Sequence, residues 1–485
     1  IQTAYQILVA SSAAKLAEGD GDLWDSGQVD GRSQNHVAYA GSVLEGDQQV
    51  HWKVRTWDRD GRVGPFSEPA SFVVGPATAA DWSGAEWIRR DSAADDDYGY
   101  FRKKWLLPDK AVERATVYVS SAHKYALFLN GEPVGKGPAY HYPQFQYFNA
   151  HDVTPLVEAN AINQVAIFHH WFGSGQGRPA SARGVILKLV VHHVDGWRSE
   201  VGTDGTWLQS RARAWVTGQP QRNGEGVGFV EEIDARMLEP GWFETDFDDS
   251  SWSTATAIGA HPVAPWTGAL VPDLTRIAET EIGPAAIADL GGGKYVIDLG
   301  KLHAGVPRIA FTGGASGATV DMRGGYALDG NGEIDPSQSQ GTDMEFRAIL
   351  SGGSFTFEPV EYLGMRYFQI DNSPMPVTPQ NFRFVKRHSE MDPTRSSFDS
   401  PDATLNAVWE LMKHSLFTCA QEAFVDTPTR EKGGFLGDAA IQSSVAMPVL
   451  NERRLTRRSL HEFLQSMEQH WSGPGREGRI NAVYP

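Results

Sequence analysis

The sequence predicts a multidomain chain that is mainly β and turns helical only near its C-terminal end. Three observations carry this. Apolar residues alternate with period two in short runs from the first residues to about residue 395. Fifty-one glycines and 15 tryptophans suit β-rich domains with many tight turns and aromatic contact surfaces. At Ser400-Pro401 the apolar period becomes helical and stays so. At 485 residues the chain exceeds one core, and about 150 residues per domain suggests three or four units.

The first unit is expected over residues 1–76 as a small β-sandwich of the fibronectin-III or immunoglobulin kind, acting as a spacer. Tyr5-Gln-Ile-Leu-Val and His51-Trp-Lys-Val-Arg-Thr-Trp57 alternate, and Asp58-Arg-Asp-Gly61 is a turn signal. A second unit over 77–262 reads as a jelly-roll sandwich. In it Ala115-Thr-Val-Tyr-Val-Ser-Ser and Tyr125-Ala-Leu-Phe-Leu-Asn-Gly131 are expected to form a strand pair ending in an Asn-Gly turn, and Phe247-Asp-Asp-Ser-Ser-Trp252 closes the region. This pattern resembles the galactose-binding-like domains of glycoside hydrolases, which bind sugar or merely pack on a catalytic domain. A third β-sandwich is expected over 263–395, on the strands Tyr295-Val-Ile-Asp-Leu-Gly, Phe355-Thr-Phe and Met365-Arg-Tyr-Phe-Gln-Ile370.

Residues 396–485 are expected to be helical. Ser400 suits an N-cap and Pro401 the first turn, with Leu405, Val408, Trp409, Met412 and Leu416 following at helical spacing. Asp438 is expected to cap a second helix running through Ile441, Val445 and Met447 to Pro448. A third begins near Asn451 with a stripe of Leu455, Phe463, Leu464 and Met467.

A formal net charge of -17 argues against a nucleic-acid partner, because phosphate binding needs a basic surface. No apolar run is long enough to cross a membrane as a helix. A single cysteine, Cys419, excludes an internal disulfide and a cysteine zinc site, and reads as a buried inert thiol. The chain starts at Ile1 without an initiator Met or a signal-peptide pattern, so any targeting segment is expected upstream and the compartment stays open. His169-His170 and His192-His193 lie on strands, where neighbours point to opposite faces, so structural or edge histidines are expected rather than a metal site. Gly173-Ser-Gly-Gln-Gly177 precedes Arg-Pro-Ala rather than a helix, which argues against a nucleotide loop. Asp91, Asp95, Asp96 and Asp97 lack a calcium-loop pattern and read as a solvated loop. No Gly-x-Ser-x-Gly hydrolase signature is present.

The chemistry concentrates in Asp426-Thr-Pro-Thr-Arg430-Glu431-Lys-Gly-Gly-Phe435-Leu-Gly-Asp438, between the first two helices. Pro428 restrains this loop, and Gly433, Gly434 and Gly437 are expected to take dihedrals that other residues resist. Arg430 can fork onto a carboxylate or onto sugar hydroxyls. Asp426 and Glu431 can hold different protonation states, one ionised and one kept neutral as a proton donor.

This segment resembles the active-site signature of bacterial α-L-rhamnosidases, glycoside hydrolase family 78. Upstream runs agree in order. Leu23-Trp-Asp-Ser-Gly27 and Trp57-Asp-Arg-Asp-Gly61 are similar to that family's fibronectin-like domain. Ala126-Leu-Phe-Leu-Asn-Gly-Glu-Pro-Val-Gly135 and Phe247-Asp-Asp-Ser-Ser-Trp252 resemble its jelly roll. Asp298-Leu-Gly-Lys-Leu-His-Ala-Gly305 and Leu363-Gly-Met-Arg-Tyr-Phe368 resemble the β-sandwich ahead of its catalytic domain.

The resemblance implies that the helices open an (α/α)6 barrel and that the activity is inverting hydrolysis of terminal α-L-rhamnosyl residues without a cofactor. It implies Glu431 as general acid, and Asp426, Arg430 and Asp438 as residues that hold the sugar. Phe435 stands where an aromatic, often Trp, lines the pocket. The family's general base is a Glu beyond Pro485. Glu422 and Asp438 have nothing in the sequence to support them as substitutes. The chain is accordingly expected to be a truncated piece, inactive and poorly soluble alone. The expected partners are rhamnose-containing glycosides or polysaccharides, and the oligomeric state stays open. The alternatives are a non-catalytic carbohydrate-binding protein or an (α/α)6 glycosidase for another sugar.

Overall fold

The computed structural model describes residues 1–92, 95–138, 140–173, 179, 181–224 and 227–484. Four β-sheets of five or more strands occupy the chain up to Ser389, and three long helices follow. The protein is mainly β and multidomain, with an immunoglobulin-like unit at its start.

That first unit is a sheet ordered Trp24–Asp25, Ala4–Ala10, Gln49–Trp57, Ala70–Val73, with Val29–Asp30 also on Ala4–Ala10. Its Asp58 turn forms as expected: Asp58 Oδ1 accepts from the amides of Asp60 (2.8 Å) and Arg62 (2.9 Å), and Gly61 takes φ +77°. Asp47, buried just ahead of Gln49–Trp57, plugs this unit into the next. Its carboxylate takes hydrogen bonds from Tyr118 Oη (2.6 Å) and Arg114 Nη1 (3.1 Å) and meets His192 Nε2 (2.5 Å).

The second unit pairs a six-stranded and a seven-stranded sheet around Phe101, Val117, Leu127, Ile167, Leu187 and Trp207. The expected pairing of the 115–121 run with the 125–131 run does not form, because Val112–Ser121 lies in the seven-stranded sheet. Lys124–Leu129 pairs instead with Glu132–Gly137, and the hairpin turns at Asn130 and Gly131, both at positive φ, as the Asn-Gly signal requires. The Phe247 to Trp252 motif has a clear packing role. Arg102, fully buried, donates to the carbonyls of Trp242 (3.0 Å) and Glu244 (2.9 Å), pairs with Asp249 (3.0 Å) and lies against the rings of Phe247 and Trp252. Tyr98, Tyr100 and Phe168 on the outer face of the six-stranded sheet are covered by Trp215 and Trp242, so the chain itself occupies much of that face.

The third unit is a nine-stranded sheet built on the long strand Lys294–Thr312. Its core joins Ile297, Phe311, Met322, Phe346, Leu363 and Phe368. Two strands cross between units. Glu231–Asp234 runs parallel to Glu345–Ile349 at the edge of the nine-stranded sheet, and Val271–Pro272 pairs with Tyr147–Asp152 in the seven-stranded one.

After a short first helix α1 (Ala13–Glu18), the helical part comprises α2 (Ala403–Cys419), α3 (Leu436–Leu450) and α4 (Arg454–Trp471). Details depart from expectation. Asp402, not Ser400, caps α2 by accepting from Thr404 N (2.8 Å), while Ser400 Oγ accepts from Asp402 N. Asp438 lies inside the first turn of α3, whose N-cap is Phe435 with no side-chain bond, and Pro448 sits within the helix. Along the apolar stripe of α2, Leu405, Val408 and Met412 are exposed and Leu416 is buried, because the helix packs chiefly through its last turns, where Thr418 is buried as well. On α4, Leu455 and Phe463 are buried but Leu464 is exposed.

The histidine pairs are structural and lie in central strands rather than at edges. His169 Nε2 meets the Ala122 carbonyl (2.7 Å), His170 meets Asp96 (2.9 Å), and His193 meets Ser199 Oγ (2.9 Å). Asp96 and Asp97 are not a solvated loop. Both are buried, and Asp97 pairs with Arg90 and with Arg183 (3.0 Å), since buried carboxylates require partners. The run from Ser174 to Gly177 lies outside the described residues. Among the described residues no helix is long and apolar enough to cross a membrane, and no three metal-ligating side chains converge.

Candidate active site

The acidic segment leaves α2 at Cys419, passes the start of the central strand Leu363–Asp371 of the nine-stranded sheet and enters α3. Its first turn is closed by Val425 N donating to Cys419 O (2.9 Å), and its end by Gly434–Phe435 pairing with Val483–Tyr484. Between these points the loop docks on Gly364 in the third unit. Gly364 N donates to Thr429 Oγ1 (3.0 Å) and to Pro428 O (3.1 Å), and Thr429 Oγ1 donates back to Gly364 O (3.0 Å). A Cβ at residue 364 would stand 2.4 Å from Pro428 Cγ, so only glycine lets the loop approach this closely. Asn223 Nδ2 holds the Arg430 carbonyl from the other side (2.8 Å).

The loop brings Asp426, Arg430 and Glu431 together. Asp426 is partly buried, accepts from Gly433 N (3.0 Å) and shares a hydrogen bond with Glu431. Burial, then the Glu431 carboxylate, pushes Asp426 up to about 7. Glu431 goes the other way: the hydrogen bond from Asp426 and then the Arg430 guanidinium hold it below the usual range. Below about pH 7 the pair therefore favours a single proton, held on Asp426. Arg430 donates to Glu431 through Nη2, and its Nε has no partner among the described residues.

Phe435 is half-buried, and its ring lies over Gly433, where a Cβ would come within 2.6 Å of the ring edge. Asp438 makes no ion pair among the described residues; its charge, with that of Asp426 and behind burial as the main cause, lifts the Cys419 thiol to about 11. Cys419 is thus an inert thiol, contacting the Asp426 carbonyl at 3.6 Å. Glu422 is committed elsewhere, paired with Arg387 at 2.6 Å.

The loop glycines do not serve as expected. Gly433, Gly434 and Gly437 avoid the left-handed region, and Lys432 takes it instead, at φ +51°. For a side chain bearing a Cβ this costs about 1 kcal/mol or more, so something outside the backbone holds it there. Lys432 Nζ is buried against Glu361 Oε1 (2.6 Å) and the Tyr362 carbonyl, 4.1 Å from the Tyr362 ring centre. Glu361 Oε2 in turn meets Lys124 Nζ (2.6 Å) from the second unit. Sequence reasoning missed Glu361, Lys124, Asn223 and the docking role of Gly364. The available signal was Glu361-Tyr362, two residues ahead of a Gly on an otherwise regular strand.

Comparison with known proteins adds the family. Four models match in order: the Rha78A-like N-terminal immunoglobulin domain over 1–78, the α-L-rhamnosidase N-terminal domain over 110–271, the bacterial α-L-rhamnosidase concanavalin-like domain over 288–387, and the bacterial α-L-rhamnosidase 6 hairpin glycosidase domain over 393–480. An α-L-rhamnosidase of Formosa agariphila is 28% identical over 483 residues, covering 90% of this chain and 49% of its own length. One from an Alteromonas species is 24% identical, with the same 90% and 49% coverage. The fold is that of the α-L-rhamnosidases of Dictyoglumus thermophilum (TM-score 0.86, 23% identity) and Aspergillus terreus (TM-score 0.81, 21% identity), covering 100% of this chain and 55% of each of theirs. The chain spans about half the length of the curated relatives it matches. With domain models of one family following one another along it, the chain belongs to the α-L-rhamnosidases, glycoside hydrolase family 78.

Proposed function

We propose that the loop from Asp426 to Asp438 is the acid-bearing side of an active site that hydrolyses terminal α-L-rhamnosyl residues of glycosides or polysaccharides with inversion. The observation that carries this is the carboxyl pair of Asp426 and Glu431 beside the Arg430 guanidinium, whose surroundings favour the proton on Asp426 and the charge on Glu431. Inverting hydrolysis needs an acid on the leaving oxygen and a base that activates water on the opposite face, roughly 6.5–9.5 Å away. Glu431 is the general acid. A glycosidic oxygen arriving at Glu431 draws the stored proton across the shared hydrogen bond, and Asp426, then ionised, accepts a sugar hydroxyl. Arg430 donates to a second hydroxyl, Asp438 accepts from a third, and Phe435 provides an apolar wall.

In this reading α2 to α4 open an (α/α)6 barrel, behind a jelly-roll unit and a β-sandwich. The resemblance implies that the base is a glutamate outside these 485 residues; Glu422 is tied to Arg387. The names of the relatives support the sugar, and the matched 6 hairpin glycosidase model supports the barrel.

The test compares wild type and Glu431→Gln in an active protein containing this chain, on an alkyl rhamnoside whose leaving group requires protonation. Turnover should fall by about 10²–10⁴-fold. The first rhamnose released should be the β-anomer by NMR. Unchanged turnover removes Glu431 from the acid role, and α-anomer released first refutes inversion.

A further inference from the structure

We infer that Glu361 is a positioning residue for the acidic loop: clamped between Lys124 and Lys432, it fixes the backbone on which Asp426 and Glu431 meet. The inference rests on reading that loop as an active site.

The geometry runs through one residue in an unfavourable conformation. Lys432 is left-handed, with Glu431 on one side of it and Gly433 on the other. Gly433 N is the donor to Asp426 Oδ1, and Asp426 N donates to Gly433 O (3.1 Å). Rotating Lys432 out of φ +51° would turn Glu431 and the Gly433 amide relative to each other and pull the two carboxyls apart. What prevents that rotation is the buried ammonium, which can leave Glu361 only by exchanging a carboxylate and a carbonyl for a less polar surround.

Glu361 is itself built in. Its carboxylate divides between two lysines, one oxygen to each, and they hold it well below the usual range despite burial. Its amide and that of Val360 donate to the buried carboxylate of Glu231 (2.8 and 2.7 Å), behind which lies the buried guanidinium of Arg222. Across the Tyr362 ring, Arg387 stacks at 4.4 Å and pairs with Glu422. Among the described residues Lys124, Lys432 and Arg387 thus surround one tyrosine ring, with Glu361 and Glu422 as their counter-ions. Among the described residues the Asp426 carboxyl meets Glu431 and the amides of Thr427 and Gly433, and its charge acts on Cys419. None belongs to the clamp, so the clamp acts on Asp426 only through the loop backbone.

The test reads the carboxyl pair directly, without turnover. The 485-residue chain is labelled with 13C at Asp and Glu carboxyls, and Asp426 and Glu431 are assigned with Asp426→Asn and Glu431→Gln. Their titration is followed in wild type, Glu361→Gln and Lys432→Met, with unfolding melts beside them. Either clamp variant should loosen the loop, admit water to Asp426 and lower its midpoint by at least one pH unit. A lowered melting temperature with the Asp426 titration unmoved overturns the proposal, because the clamp would then be structural only. Loss of the folded state in both variants overturns it as well. A glycosidase assay that fails while the midpoint shifts would count against the activity and leave the positioning role standing.

Discussion

Gly364 lies beneath the acidic loop with no room above its Cα. Replacing it with alanine puts a methyl 2.4 Å from Pro428 Cγ and 2.9 Å from Thr429 Oγ1. Ordinary carbon contact is about 3.5–4.0 Å, so the loop must retreat by about 1 Å or more. Overpacking of this kind costs about 1–3 kcal/mol. The retreat also stretches the bonds between Gly364 and residues 428–429, two donors worth about 0.5–1.5 kcal/mol each. Gly364→Ala should therefore destabilise the chain by about 2–6 kcal/mol in urea unfolding. Adding Pro428→Ala, which deletes the clashing Cγ, should return about half of that loss. A Gly364→Ala variant within about 0.5 kcal/mol of wild type would refute the docking argument. So would a double variant that gains nothing.

Asp426 gives a pH prediction. Its carboxyl is raised in the folded chain from an ordinary value of 3.8 to about 7, so its contribution to stability is full below about pH 4 and is lost as pH rises through about 7. Asp426→Asn, which cannot ionise, should flatten the fall in denaturant midpoint between pH 4 and 8; parallel profiles would contradict the assignment. Arg102→Met should cost about 3–5 kcal/mol, because it leaves Asp249 and two carbonyls without their buried donor. Protease cleavage within residues 242–252, measured against wild type, should rise with it.

Much of this organisation is written locally in the sequence. The change of period at residue 400, the Asn130-Gly131 hairpin and the Asp58 turn are short-range signals, and each forms where its residues dictate. The order of the quoted motifs is likewise readable, and the family follows from it. What fails is whatever depends on a distant partner. Ser400 and Asp402 are both competent caps, and the choice between them is made by where α2 packs. Leu405, Val408 and Met412 have helical spacing but meet little of the described chain. Asp96 and Asp97 look solvated until Arg90, Arg183 and His170 arrive from other segments of the chain. In the site, three glycines drew attention to backbone freedom, whereas the strained position belongs to Lys432 and is held by a carboxylate 71 residues away.

The strand Glu231–Asp234 has a consequence for how this chain can be divided. It departs from the second unit and lies along Glu345–Ile349, while Glu231 also receives the amides ahead of Gly364. A cut near residue 262 would leave Glu345–Ile349 as a bare hydrogen-bonding edge, open to a neighbouring molecule. It would also strip the acidic loop's platform of its anchor. The β units ahead of the helices therefore behave as one inherited block: neither can be lent to another protein, or lost, without taking part of the other's sheet with it.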